Sequence, residues 1–144
     1  MAAARSCASL REMQNLSAAI GSSVRPQRHV LLIEDSEDNR EMMRELLEME
    51  GFRVDVACDG ADGIEQALAL RPAIAIVDIG LPEMDGYEVA RRVRAALGAE
   101  ITLVALTGYS QPEERALAAA AGFDAHLTKP VNLADLEAIL APRH

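Results

Sequence analysis

Five side chains that handle charge or hydrogen bonds follow four apolar runs of the sequence. Glu34 and Asp35 follow HVLLI, Asp78 follows AIAIV, Thr107 follows ITLVAL, and Lys129 follows AHLT. In an open parallel sheet the carboxyl ends of the strands face one crevice, so residues distant in sequence meet there. Three carboxylates, a hydroxyl and an ammonium in one crevice suit a divalent cation and a phosphoryl group.

Carboxylates held this close need compensation. Two of them about 4 Å apart repel by roughly 4 kcal/mol at an effective dielectric near 20. Protonation or a bound cation would offset the repulsion, and oxygen-only ligands open to water favour Mg²⁺ or Mn²⁺. Lys129, the only lysine of the chain, would relieve more of it and could meet a phosphoryl oxygen.

Asp78 is the best candidate for a nucleophile, because it ends the run expected to be most buried and would be fixed in place. Carboxylates can form acyl phosphates, and phosphoryl transfer depends mainly on positioning and electrostatics. Mg²⁺, Lys129 and the Thr107 hydroxyl are groups of the required kind. Singly, each residue is better explained as a turn, cap or loop residue. Together, in strand order, they favour a site.

The apolar pattern predicts five βα units that would position these side chains. Short apolar runs alternate with helical periodicity from His29 onward, which is typical of a parallel sheet. We predict strands at 29–34, 52–57, 73–78, 101–106 and 124–127, and helices at 37–50, 60–70, 85–97, 112–121 and 132–140. The run at 73–77 lacks polar alternation, which predicts the central strand of the sheet.

Residues at the predicted helix ends support these boundaries. Ser36 and Asn132 can accept hydrogen bonds from exposed helix N–H groups, and Gly51 and Gly122 can adopt the left-handed conformation that ends a helix. The fourth helix, 112–121, has almost no large apolar side chains. It should therefore be weakly held and able to shift at low cost.

Length and composition predict one domain with tails. The chain has 144 residues, half of them apolar, which suffices for one core. We assign the domain to 28–141, a flexible tail or linker to 1–27 and a short tail to 142–144. In 1–27, four apolar residues could line a short helix, which would be marginal alone (Leu10, Met13, Leu16 and Ile20).

Charge and motif content exclude several classes of function. The net charge is −9, and residues 28–144 alone carry −11, which argues against direct binding to nucleic acid. No stretch has the length and apolar content to insert in a membrane, and no secretory signal is present. Cys7 and Cys58 lack metal-ligand spacing. We expect a cytoplasmic protein, with a transit peptide as the weaker alternative.

Over residues 28–141 the chain resembles the receiver domains of response regulators in two-component signalling. The resemblance is carried by VLLIEDSEDNREMM, VDIGLPEMDGYEVARRVR, LVALTGY and GFDAHLTKPV, a combination far more specific than a lone motif. It implies a doubly wound, flavodoxin-like α/β fold with a five-stranded parallel sheet of order 2-1-3-4-5 and helices on both faces.

The resemblance also implies a phosphoacceptor and a metal site. Asp78 would accept a phosphoryl group from a phosphohistidine. Asp35, Asp78 and the backbone carbonyl of Gly80 would bind Mg²⁺ or Mn²⁺ directly, and Glu34 would act through water. Glu34 stands where aspartate is commoner in the family, which could alter the water-mediated contact without removing it.

A switch is implied as well. Thr107 would bond a phosphoryl oxygen and Lys129 would pair with it, and the peptide bond from Lys129 to Pro130 would be cis. His126 stands at the switch position, where Tyr or Phe is usual in the family. An imidazole there could make switching depend on pH near neutrality, and the alternative is a partly exposed histidine without a special role.

By this resemblance the chain would be a phosphoacceptor and not an enzyme with a separate substrate, although it would catalyse its own phosphorylation and dephosphorylation. We expect it to be stand-alone, because only a few residues follow the last predicted helix. Its partners would be a histidine kinase or histidine phosphotransfer protein and a downstream protein bound through the 112–140 face. Parts of the sequence also resemble receivers at the ends of hybrid histidine kinases.

Three alternatives rank lower. A haloacid-dehalogenase-like hydrolase would need a second acid two residues after the nucleophile, where this chain has Gly80. A flavodoxin-like cofactor binder would need a glycine-rich phosphate loop after the first strand, which is missing. A receiver that signals without phosphorylation is disfavoured by the complete set of site residues.

Overall fold

The computed structural model describes residues 28–108 and 111–140, and within these ranges it contains five strands and five α-helices. The strands are β1 His29–Ile33, β2 Arg53–Ala57, β3 Ile74–Asp78, β4 Thr102–Thr107 and β5 Ala125–Thr128. The helices are α1 Glu37–Met49, α2 Gly60–Leu70, α3 Gly86–Leu97, α4 Pro112–Ala121 and α5 Leu133–Leu140. Every predicted element is present with its ends within one residue of the prediction.

Two differences from the sequence prediction concern ends and connections. A short 3₁₀ helix, Gly98–Glu100, follows α3 and was not predicted. Thr107 is the last residue of β4 and does not follow the strand. The predicted tails, 1–27 and 142–144, lie outside the described residues.

The five strands form one parallel sheet in the order β2-β1-β3-β4-β5, which confirms the predicted topology. β3 is the central strand and all five of its residues are buried, as its unbroken apolar pattern predicted. The direction of strand order reverses between β1 and β3, so a crevice opens at their carboxyl ends. Asp78 ends β3 at that crevice.

Apolar side chains cover both faces of the sheet. In β1, Leu31 and Ile33 point to the core beneath α2, α3 and α4, while Val30 and Leu32 point to the core beneath α1 and α5. This alternation confirms the prediction of helices on both faces. Among the described residues no helix is long and apolar enough to cross a membrane.

The predicted helix ends are confirmed. The Ser36 hydroxyl accepts from the backbone N–H of Asn39 at 3.4 Å, and the Asn132 side chain accepts from that of Asp135 at 2.8 Å. Gly51 and Gly122, which follow α1 and α4, have φ angles of +92° and +113°, a region that favours glycine.

α4 has few apolar anchors. Only Ala118 and Ala121 of this helix are buried, and its one large apolar side chain, Leu117, is 56% exposed. Its carboxyl end is held instead by Arg94 of α3, which donates through Nη2 to the Gly122 carbonyl at 2.6 Å and to the Asp124 carboxylate at 2.7 Å. The helix is therefore fastened at one end by polar contacts.

Candidate functional site

Three carboxylates converge where β1 and β3 end. Glu34 and Asp35 directly follow β1, and Asp78 is the last residue of β3. One carboxylate oxygen from each lies within 4.8 Å of the others. Glu34 is fully buried, Asp78 is 6% exposed and Asp35 is exposed, so the cluster opens to solvent on the Asp35 side.

Asp78 is fixed through both carboxylate oxygens. Oδ1 accepts a hydrogen bond from the backbone N–H of Gly80 at 2.9 Å, and Oδ2 accepts one from the Lys129 ammonium at 3.1 Å. Both oxygens of this carboxylate are thus held in place by groups of the protein itself, which is a preorganised arrangement.

Lys129 reaches the acidic cluster from the edge strand β5. It follows β5, and its Nζ lies 3.1 Å from Asp78 Oδ2 and 3.3 Å from Glu34 Oε2. Partial burial acts to lower the pKa of Lys129, but Asp78 and Glu34 outweigh it and hold that pKa above its ordinary value. The side chain therefore stays a cation facing two carboxylates.

Glu34 carries the strongest electrostatic perturbation of the site. Its burial, reinforced by the neighbouring Asp78 carboxylate, raises the pKa of Glu34 to about 7. Its Oε1 accepts from the backbone N–H of Ser36 at 3.1 Å. Its Oε2 is buried without a hydrogen-bond partner, although Lys129 Nζ forms an ion pair with it.

These residues fit a hard divalent cation. All the donors are carboxylate oxygens, which Mg²⁺ and Mn²⁺ prefer. The buried Glu34 Oε2 has an unused acceptor site, and a cation would offset the repulsion that raises its pKa. The structure thus supports the predicted ligand type at Glu34, Asp35 and Asp78, while the Gly80 carbonyl as a ligand stays a prediction.

Thr107 and Lys129 are held next to each other by the backbone. The Lys129 N–H donates to the Thr107 carbonyl at 2.7 Å, and the Lys129–Pro130 peptide bond is cis, as the resemblance implied. The buried Thr107 hydroxyl donates to Glu114 Oε2 of α4 at 3.3 Å. This contact connects the end of β4 to the first turn of α4.

His126 lies on the edge strand β5, paired with Ala105 of β4, and is half-buried. Its role as a switch residue stays a prediction.

Two contributors to the site were missed from sequence. Gly86 begins α3 so close to β3 that a Cβ atom there would lie 2.6 Å from the Asp78 carbonyl oxygen. Glu114 was not singled out from the sequence, because acidic residues are common in the first turn of a helix. Both roles depend on distances between elements, which the sequence does not give. For Gly86 one signal was available, because a glycine directly after the capping residue Asp85 marks the start of a helix.

Residues 30–141 match the family described as the response regulator receiver domain. The match covers well over half of the chain. The chain therefore belongs to the response regulator receiver domain family, and it is a receiver domain of the two-component response regulator class.

Similar proteins agree with this assignment. An uncharacterized 14.6 kDa protein in the sodA1 3′ region of Leptolyngbya boryana is 36% identical over 111 residues, covering 76% of this chain and 85% of that protein. The response regulator MprA of Mycobacterium ulcerans is 33% identical over 107 residues, 74% of this chain. This chain spans about half of MprA, 46% of its length.

Two solved structures share the fold. The chemotaxis protein CheY4 of Vibrio cholerae superposes with a TM-score of 0.74 at 29% identity, covering 80% of this chain and 97% of that one. The receiver domain of the sensor histidine kinase PA1611 from Pseudomonas aeruginosa, which has a magnesium ion coordinated in its active-site cleft, gives 0.71 at 29% identity, covering 79% and 94%.

Proposed function

We propose that Asp78 accepts a phosphoryl group from a phosphohistidine and so switches a protein-binding face in a phosphorelay. The carrying observation is the Asp78 carboxylate, held by the Gly80 N–H and the Lys129 ammonium within 4.8 Å of two further acids. Histidine kinases and histidine phosphotransfer proteins are the partners of receiver domains, and we propose the same partners for this chain.

The reaction moves one phosphoryl group between two side chains. An Asp78 carboxylate oxygen attacks phosphorus, the bond from phosphorus to the donor imidazole nitrogen breaks, and the imidazole leaves with the bonding electrons. An acyl phosphate remains on Asp78. Attack by water later regenerates the carboxylate and releases phosphate, so the chain would catalyse its own phosphorylation and dephosphorylation.

The surrounding side chains supply positioning and charge. Lys129, 3.1 Å from Asp78 Oδ2, is placed to meet a phosphoryl oxygen, and the Thr107 hydroxyl can donate to another. When bound, Mg²⁺ held by Asp35, Asp78 and the Gly80 carbonyl, with Glu34 through water, would neutralise charge on the phosphoryl oxygens.

The proposed output surface is the 112–140 face, comprising α4, β5 and α5. It includes the exposed apolar residues Leu117 of α4 and Leu133 of α5, and the half-buried His126 of the edge strand. We propose that a downstream protein binds this face and that Thr107 and His126 couple it to the state of Asp78. The weakly anchored α4 is the element that such a change would move most easily.

Intact-mass measurement after incubation with acetyl phosphate tests the proposal. We expect one added phosphoryl group that requires Mg²⁺ and is lost in Asp78→Asn. Asp38→Asn, which changes an exposed aspartate of α1, is the matched control and should be modified like the parent. Modification that persists in Asp78→Asn would contradict the assignment of the acceptor, and steady turnover of a phosphate ester would indicate a hydrolase.

A further inference from the structure

Glu114 is tied to the one hydroxyl that the proposed switch depends on. Thr107 Oγ1 donates to Glu114 Oε2 at 3.3 Å, across the loop that connects β4 to α4. The Thr107 side chain is 8% exposed and Glu114 is half-buried, so solvent competes with this contact less than at an open surface. The carboxylate belongs to the first turn of α4, where the N-cap residue Gln111 makes no side-chain capping hydrogen bond.

The contact lies at the end of α4 that is otherwise weakly held. Arg94 fastens the opposite end through Gly122 and Asp124, and the buried side chains of α4 are only Ala118 and Ala121. Burial raises the pKa of Tyr87 of α3, and the charge of Glu114 adds to this effect.

A threonine hydroxyl has a single proton to donate. It can donate to Glu114 or to a phosphoryl oxygen on Asp78, but not to both at once. The free energy gained when Thr107 donates to the phosphoryl group is therefore reduced by the free energy of the lost Glu114 contact. By the same linkage, a phosphoryl group on Asp78 weakens the Thr107–Glu114 contact by an equal amount.

We infer that Glu114 is a positioning residue that holds the Thr107 hydroxyl in the resting state and must release it when Asp78 is phosphorylated. The inference rests on the proposed function. Its consequence is that phosphorylation frees the first turn of α4 by removing its hydrogen-bonded tie to β4.

Binding of beryllium trifluoride with Mg²⁺, a mimic of the phosphoryl group, tests the inference. We expect Glu114→Ala to bind it about threefold or more tightly than the parent, the size of one modest hydrogen bond, and Glu114→Gln to fall between them. Glu113→Ala removes a neighbouring exposed charge from the same helical turn and should bind like the parent. Backbone amide NMR titrations give the affinities, and Tm confirms that each variant is folded.

A double-mutant cycle separates this role from a general effect of charge or stability. In a Thr107→Ala background, Glu114→Ala should no longer change the affinity, because the donor for which Glu114 and the mimic compete is gone. An equal gain in Glu113→Ala, or a gain that persists without Thr107, would overturn the inference. If the parent binds the mimic but Glu114→Ala shows no gain in affinity, this inference alone is overturned. If the parent does not bind the mimic, the proposed function is overturned.

Discussion

At the scale of single residues, the site concentrates unfavourable charge that the fold alone does not fully offset. Glu34 is buried beside Asp78, and its Oε2 forms an ion pair with Lys129 but, among the described residues, has no hydrogen-bond partner. The ionised form of Glu34 is therefore disfavoured, and its pKa rises to about 7. A cation bound among these carboxylates would favour the ionised form of Glu34 and so release its proton.

Glu34 should make the metal-free protein less stable as the pH rises. The folded state binds the Glu34 proton more tightly than the unfolded state does, because the pKa of Glu34 is about 7 when folded and near its ordinary value of 4.5 when unfolded. The contribution to stability is therefore complete below about pH 4.5 and is lost as the pH passes through about 7. In EDTA, Tm should fall more steeply over this window for the parent than for Glu34→Gln.

The control for this experiment is Glu45→Gln, an exposed glutamate of α1, which should keep the pH dependence of the parent. Equal slopes in the parent and Glu34→Gln would show that the proton on Glu34 does not contribute to stability.

At the scale of elements, close packing sets the position of the acceptor. The amino end of α3 lies against the end of β3, and a Cβ atom at Gly86 would be 2.6 Å from the Asp78 carbonyl oxygen and 2.7 Å from Ile79 Cα. Both contacts are with backbone, which cannot move aside without shifting the strand end. The lack of a side chain at Gly86 therefore allows α3 to begin directly against the strand end that carries Asp78.

Gly86→Ala should destabilise the protein by roughly 1–3 kcal/mol, as overpacking does, and slow phosphorylation by acetyl phosphate. Urea unfolding and a mass-based time course measure the two effects. Gly108→Ala is the stability control, because a Cβ atom there meets nothing within 4 Å. If Gly86→Ala matched the parent in both measurements, the close approach would have no role in placing Asp78.

Most elements could be predicted from the sequence because their signals are local. The apolar run ending at Asp78 marked the central strand, and Ser36 and Gly122 marked helix ends that the structure confirms. The approach of Gly86 to β3 and the contact of Glu114 with Thr107 could not be predicted, since each depends on a distance between two elements. The 3₁₀ helix at Gly98–Glu100 has no strong local signal of its own.

At the scale of the whole molecule, binding of Mg²⁺ should act as a stabilising ligand. A ligand at 100 times its Kd that binds only the folded state adds about 2.7 kcal/mol. We expect Mg²⁺ to raise Tm for the parent and for Asp38→Asn, but far less for Asp35→Asn, which removes the exposed acid of the cluster. Differential scanning calorimetry measures the rise, and equal rises in all three proteins would place the metal elsewhere.

The contacts of Arg94 have a mechanical consequence for α4. Once the Thr107–Glu114 contact is broken, α4 would be held mainly at its Gly122 end, and the displacement produced by a tilt would grow with distance from that end. α4 has ten residues and is about 15 Å long, so a tilt of about 10° about the Gly122 end would move its first residue by about 2.6 Å. A partner that contacts the Glu114 end would sense the full displacement, while one that contacts the Gly122 end would sense almost none.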